Sequence, residues 1–147
     1  MTAAELQVHD ATPVLLYDGE CGLCACSVQF VLAHESPASR SMLRFAALQG
    51  TFGMMVRTRH PELALVDSVV WYVPSAGGAS VAYVRSDAAL AIMRCLRPPW
   101  TVLARLGRIV PRSWRDAVYD AIARRRFHWV ARACLMPLAD QRQRFLP

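Results

Sequence analysis

The sequence contains no lysine. Its 17 basic side chains are all arginine, set against 11 acids for a net charge of +6. An all-arginine complement fits a GC-rich coding bias as readily as a demand for bidentate guanidinium contacts, so by itself it names no partner. Long apolar runs are also missing. The longest uncharged stretch, Ser68 to Val84, is 17 residues and is interrupted by Pro74 and Gly77-Gly78, whereas a membrane span needs ~20 apolar residues. The opening "MTAAELQVHD" carries acids and no basic, apolar leader, so no secretory signal and a cytoplasmic location are expected. There is one Cys-x-x-Cys and no second, and His34, His60 and His128 are scattered. A closed zinc site, which needs four converging ligands, is therefore disfavoured.

What is present points to one globular domain: 147 residues, 54% hydrophobic and 19% charged. Five cysteines without a leader do not read as a disulfide scaffold. In such a chain a close cysteine pair is more often catalytic or metal-binding. Charge is polarised along the chain. Residues 1–74 hold four Arg and seven acids, a net of −3, and residues 75–147 hold thirteen Arg and four Asp, a net of +9. A basic half of this kind can draw nucleic acid or anionic lipid, although a solvated helix face is the plainer reading.

The apolar run Val14 to Tyr17 closes at Asp18-Gly19 and reads as a buried strand ending in a turn. Leu23, Cys24, Val28, Val31 and Leu32 then recur at helical spacing, and Ser36-Pro37 is expected to stop that helix. "SMLRFAAL" gives a second strand, and "TFGMMVRTR" a short helix before Pro61. "SVVWYV" and "ASVAYV", joined by "PSAGG", make a β-hairpin. A helix follows with Ser86 as its expected N-cap and Leu90, Met93 and Leu96 as its inner face. Beyond Pro98-Pro99 two helical stripes appear, Trp100/Leu103/Leu106/Val110 and Trp114/Val118/Ile122. Both are expected to face inward, with Asp116 and Asp120 outside. The order β-α-β-α-β-β-α is the thioredoxin-like α/β arrangement. The expected organisation is thus a single domain, with a core over 14–97 and a basic helical extension over 98–147 packed on it.

The stretch "YDGECGLCACS" (Tyr17 to Ser27) carries the chemistry. Cys21 is placed at the helix start, where unpaired N–H groups and the helix dipole favour an anion and so suit a thiolate. Cys24, three residues on, shares its face and can resolve a mixed disulfide made by Cys21. Cys26 is rotated ~140° from Cys21 and reads, like Cys95, as a small core hydrophobe. Cys134 is open between core residue and auxiliary thiol. Asp18 is either an ordinary turn cap or the base that takes and returns the Cys24 proton.

Asp18-x-x-Cys21-x-x-Cys24 after an apolar strand resembles the DCC family of thiol-disulfide oxidoreductases. The likeness extends through "RFAALQ", "DSVVW", "RSDAAL" and "VPRSWRDAVYDAIARRRF" to the tail "CLMP…QRQRFL". It implies a thioredoxin-like fold and a dithiol–disulfide site at Cys21 and Cys24, with Asp18 as the third signature residue. Its substrate would be a protein disulfide or a low-molecular-weight thiol, and no cofactor is required. "VDSVVW" has Asp67-Ser68 where thioredoxins and glutaredoxins place a cis-proline. Ser86-Asp87, at a helix start after the hairpin, resembles the spot where glutathione transferases and glutaredoxins hold the γ-glutamyl end of glutathione, so glutathione is a candidate co-substrate there. The plain alternative is an N-cap serine with an acid in the first turn. The competing reading is a non-catalytic thioredoxin-fold module whose basic helical half, with Trp100, Trp114 and Trp129 among arginines, docks on a membrane surface or a partner. Nucleic acid is the weakest reading, because these aromatics sit at helical rather than sheet-face spacing.

Overall fold

Four apolar residues form strand β1 (Val14–Tyr17), and the first three of them are fully buried. A strand buried on both faces belongs in the middle of a sheet. The computed structural model, which describes residues 12–75, 77–125 and 139–147, places β1 at the centre of a five-stranded sheet of order β4-β3-β1-β2-β5. The other strands are β2 (Arg44–Ala47), β3 (Val70–Val73), β4 (Val81–Val84) and β5 (Phe145–Leu146). β1 runs parallel to β2 and antiparallel to β3, β3 and β4 form the hairpin, and β5 adds in parallel to the outer side of β2. This is the expected thioredoxin-like α/β fold, with one strand more than the sequence suggests.

Successive side chains of a strand point to opposite faces, so each strand feeds two cores. Val14, Leu16, Ala46, Val70 and Tyr72 pack against Phe52 and Val56 of α3 (Thr51–Arg59). Leu15, Phe45 and Trp71 face the other way, against Val28, Val31 and Leu32 of α1 (Gly22–His34) and Ala88 of α4 (Arg85–Met93). A Cβ on Gly53 would lie 2.3 Å from the Ala47 carbonyl oxygen. Only glycine lets α3 sit so closely on the exit of β2.

Ser36-Pro37 does end α1, but it also starts α2 (Pro37–Met42), which the sequence reading does not contain. The Ser36 hydroxyl accepts from the Ser39 N–H at 3.3 Å, and Pro37 fills the first helical position. Just before it, Glu35 is 2% exposed. Arg144 donates to both of its carboxylate oxygens, at 2.7 and 2.6 Å, and to the Leu43 carbonyl at 3.2 Å. Its guanidinium also lies 5.2 Å from the centre of the Phe45 ring.

The expected facing of the later helices holds only at Trp100 in α5 and is reversed in α6. In α5 (Trp100–Gly107), Trp100 packs edge-on against Phe30 and Ala104 is buried, but Leu103 and Leu106 are exposed. In α6 (Arg112–Arg124), Trp114, Val118 and Ile122 face solvent, whereas Asp116 and Asp120 turn inward onto the start of α4. The physical reason lies at that start. Arg85 adopts φ +57°, a left-handed conformation that costs a non-glycine residue energy. The Arg85 side chain and the first N–H groups of α4 need acidic partners, and α6 supplies them.

Arg144→Leu should leave the Glu35 carboxylate buried with only Arg40, 3.4 Å away and itself mostly exposed. Breaking a buried pair on one side costs about 3–5 kcal/mol. A urea unfolding midpoint that moves by the equivalent of less than about 1 kcal/mol would refute the assignment of this pair as a structural staple.

Candidate active site

The sheet register gathers the site. Leu16 pairs with Val70, and Val70 pairs with Val84. Residues 18–21, 67–69 and 85–87 therefore leave the sheet at the same edge. Leu48 N–H bonds the Tyr17 carbonyl at 2.8 Å, so Gln49 arrives there as well.

The turn between β1 and α1 is built on Asp18. Its carboxylate accepts from the Glu20 N–H at 3.0 Å and from Gln49 Nε2 at 2.7 Å, while Gln49 Oε1 accepts from the Gly19 N–H at 3.1 Å. Gln49 thus clamps the turn with both ends of its amide. The sequence reading assigns it no role, and the one signal for it is its place at the end of "RFAALQ". The Asp18 carbonyl accepts from the Cys21 N–H at 3.2 Å, which delivers Cys21 to the helix entrance.

Cys21 is the N-cap of α1, with extended backbone (φ −94°, ψ 120°) and its carbonyl accepting from the Ala25 N–H at 3.0 Å. No side chain caps this helix end, and no acid lies in its first turn. The orphan N–H groups and the positive end of the dipole are left to whatever anion forms at the cap. Cys24 is one turn inside and only 4% exposed. Burial pushes its thiol up to about 12, and a hydrogen bond to Cys21 and the Cys21 charge push the same way. The Asp18 carboxylate adds to this, against a backbone hydrogen bond from Asp18 that opposes it. Burial and the neighbouring Cys21 and Asp18 side chains thus all disfavour a thiolate at Cys24.

Asp18, Cys21 and Cys24 stand together as expected. Cys26 does not follow expectation. It is exposed rather than a core residue, and it lines an apolar cavity of about 410 Å³ with Phe30, Ala89 and Met93. Its place on the outer side of α1 follows from the helical rotation that separates it from Cys21. Cys95 is half-buried, with its thiol toward the Ala91 carbonyl at 3.7 Å and pushed above its ordinary range by burial. Cys134 lies outside the described residues, as does Trp129. Among the described residues no three His, Cys, Asp or Glu side chains are grouped to hold a metal.

Ser86 and Asp87 lie at the same sheet edge, but α6 engages both. Ser86 is buried within the first turn of α4 and is not its N-cap. Its N–H donates to Asp116 Oδ1 at 3.3 Å, and its hydroxyl donates to the same oxygen. The Ser86 hydrogen bonds, with Arg85 and Arg112 nearby, hold the Asp116 carboxyl below its ordinary range. Asp87 pairs with Arg115 Nη1 and Arg112 Nε, each at 3.1 Å. A carboxylate and two guanidinium groups of the chain itself therefore occupy the positions a ligand's carboxylate and amine would take.

A thioredoxin-like sheet with a Cys-x-x-Cys at the entrance of its first helix defines the structural class. Residues 15–132 match the family model described as DCC1-like thiol-disulfide oxidoreductase. The chain belongs to that family. It is 32% identical over 137 residues to the uncharacterized protein YuxK of Bacillus subtilis (strain 168), a match covering 91% of this chain and 93% of that protein. It is also 32% identical over 125 residues to a chloroplastic DCC family protein of Arabidopsis thaliana, covering 85% and 69% respectively. No solved structure matches it.

The protonation of Cys24 gives a test. In the reduced protein at about pH 8, alkylation of Cys24 should be at least roughly a thousandfold slower than in the urea-unfolded chain, because the thiolate fraction falls with the raised value. The sign for stability follows. Between about pH 9 and about 12 the unfolded chain releases the Cys24 proton while the folded chain keeps it, so the reduced protein should lose stability as pH rises through that window. Equal alkylation rates in folded and unfolded protein would overturn this.

Proposed function

We propose that Cys21 and Cys24 form a redox couple that exchanges disulfides with a protein or low-molecular-weight thiol substrate. The observation that carries this reading is the pairing of two buried thiols, Cys21 at the uncapped entrance of α1 and Cys24 one turn inside and close enough to hydrogen-bond it. In the reducing direction, Cys21 thiolate attacks one sulfur of the substrate disulfide. A Cys21–substrate disulfide forms, and the other substrate sulfur leaves as a thiolate that takes a proton from water. Cys24 then loses its proton and attacks the Cys21 sulfur, the second substrate sulfur leaves, and the enzyme is left with a Cys21–Cys24 disulfide. Two electrons pass from the protein to the substrate, and the reverse sequence oxidises a dithiol.

Asp18 is the group placed to receive the Cys24 proton in the second step. It adjoins both cysteines through the turn, and Gln49 fixes its carboxylate. Substrate enters in this reading at the sheet edge where residues 67–69 and 85–87 emerge. Since Asp116, Arg112 and Arg115 already use Ser86 and Asp87, a disulfide carried by a protein is favoured over glutathione, whose capture there would require α6 to yield those contacts.

Cys21→Ser should abolish exchange with a model peptide disulfide, and Cys24→Ser should stop at a mixed disulfide visible by mass spectrometry. An active Cys21→Ser protein would refute the assignment. Asp18→Asn should slow resolution by about 10²-fold while leaving the first attack largely intact. In stopped-flow measurements this would appear as transient mixed disulfide and a flattened pH dependence of the second step. Unchanged resolution in that variant would reduce Asp18 to a turn cap.

A further inference from the structure

Helices α5 and α6 present outward what helices normally bury. Along α6, Trp114 is 71% and Val118 60% exposed, and Ile122 continues the same stripe at four-residue spacing. The polar side of the helix is spent inward: Asp116, Asp120 and Arg115 contact Ser86, Arg85 and Asp87. On α5 Leu103 and Leu106 are likewise exposed, and the turn joining the two helices carries Ile109 at 80% exposure. Soluble proteins rarely leave so many large apolar side chains facing water without a use for them.

The charge around this face identifies the partner. The acids of residues 100–125 are Asp116 and Asp120, and both point toward α4. Arg105 flanks the exposed leucines of α5, and Arg108 lies in the turn beside Ile109. Together with Arg94 and Thr101 they line a cavity of about 230 Å³. Among the described residues none of these three arginines pairs with an acid. Three guanidinium groups around a small hollow suit a phosphate bearing one or more negative charges. Apolar side chains projecting beside them suit the acyl boundary of a bilayer.

We propose that the exposed faces of α5 and α6 are a docking surface for membranes rich in anionic phospholipid. Arg94, Arg105 and Arg108 receive headgroup phosphates while Leu106, Ile109 and Trp114 enter the interface. Arg94 and Arg108 also line a larger cleft with Trp71, Val73 and Tyr83 of the sheet, and the inference is independent of the redox reading.

The test is flotation of the full-length protein with vesicles of phosphatidylcholine alone and with about 30% phosphatidylglycerol, at about 50 and about 500 mM salt. Binding should require the anionic lipid and fall at high salt. Arg105→Gln/Arg108→Gln should weaken it by about 30-fold at low salt, and Leu106→Asp should abolish it, with the circular dichroism spectrum unchanged because all three side chains are exposed. Loss of binding in a Trp114→Ser variant that keeps wild-type thermal stability would support insertion of that ring. No flotation with anionic vesicles would overturn the proposal, as would equal flotation with neutral ones. So would a dimer by light scattering that the Trp114→Ser change dissociates, which would assign the face to a second copy. Comparing acrylamide quenching of the wild type and Trp114→Phe supplies the last arm. A Trp114 contribution shielded in the lipid-free monomer would show that the chain covers its own apolar stripe and would also overturn the proposal.

Discussion

The position of α1 depends on the buried ion pair between Glu35 and Arg144. Glu35 follows the last residue of that helix, bridges by its backbone to Leu96 beyond α4, and receives both forks of the Arg144 guanidinium. Arg144 in turn holds the Leu43 carbonyl at the entry to β2 and leads directly into β5. One polar contact thus joins the end of α1, the start of β2, the end of α4 and the chain terminus. A buried pair of this kind repays little net energy compared with apolar residues, because both ions lose their water. What it supplies is geometry, since neither charge can remain where it is without the other. The far end of α1, where Cys21 and Cys24 lie, is held by the apolar contacts of Val28, Val31 and Leu32, so the staple at one end and the core along its side orient the cysteines at the other.

At that opposite end the proposed reaction sets two demands that conflict. A thiolate nucleophile wants an uncompensated positive environment, and a resolving thiol must stay protonated until the mixed disulfide forms. In that proposal the turn would meet both by placing Cys21 at the uncapped start of α1 and Cys24 one turn inside it, both buried and beside Asp18. An acid so close disfavours a second negative charge, which is why the Asp18 carboxylate adds to the upward push on Cys24. Gln49 keeps that carboxylate in place by bonding it from the turn after β2. The site is therefore a property of two adjacent parallel strands and the helix after the first of them, not of the Cys-x-x-Cys alone.

The strands and the cysteine-bearing helix were legible because their signals are local: an apolar run closed by Asp-Gly, a hairpin split by Pro and Gly, and a helical recurrence after Cys21. The same logic places Asp18, Cys21 and Cys24 together, since seven residues around one turn can hardly part. β5 was not legible, because two residues carry no periodicity and their pairing with β2 depends on Arg144 meeting Glu35 across the length of the chain. Gln49 was missed for a similar reason: an amide bonding a turn thirty residues earlier leaves no mark in its own neighbourhood. Cys26 was misjudged because small size and thiol chemistry favour burial on average, whereas its place on the outer side of α1 exposes it.

The inverted facing of α6 shows where pattern reading fails in principle. A stripe of Trp114, Val118 and Ile122 specifies an amphipathic helix but not which side meets the protein, because that depends on what the receiving surface needs. Here the surface is the first turn of α4, with free N–H groups, a serine hydroxyl and a left-handed Arg85 that must be held. Asp116 and Asp120 answer those groups with directional, charge-assisted bonds, and Arg115 answers Asp87 in return. Turning the helix over would bury its apolar stripe against those polar groups and leave them unpaired, at a cost per orphaned group comparable to what burying one apolar side chain returns. With several such groups at stake, the polar side wins the interior and the apolar side is left outside. The exposure of that stripe is thus not an accident of loose packing. It follows from an α4 entrance that demands acids, and it makes the outer faces of α5 and α6 available for a partner that combines negative charge with an apolar interior.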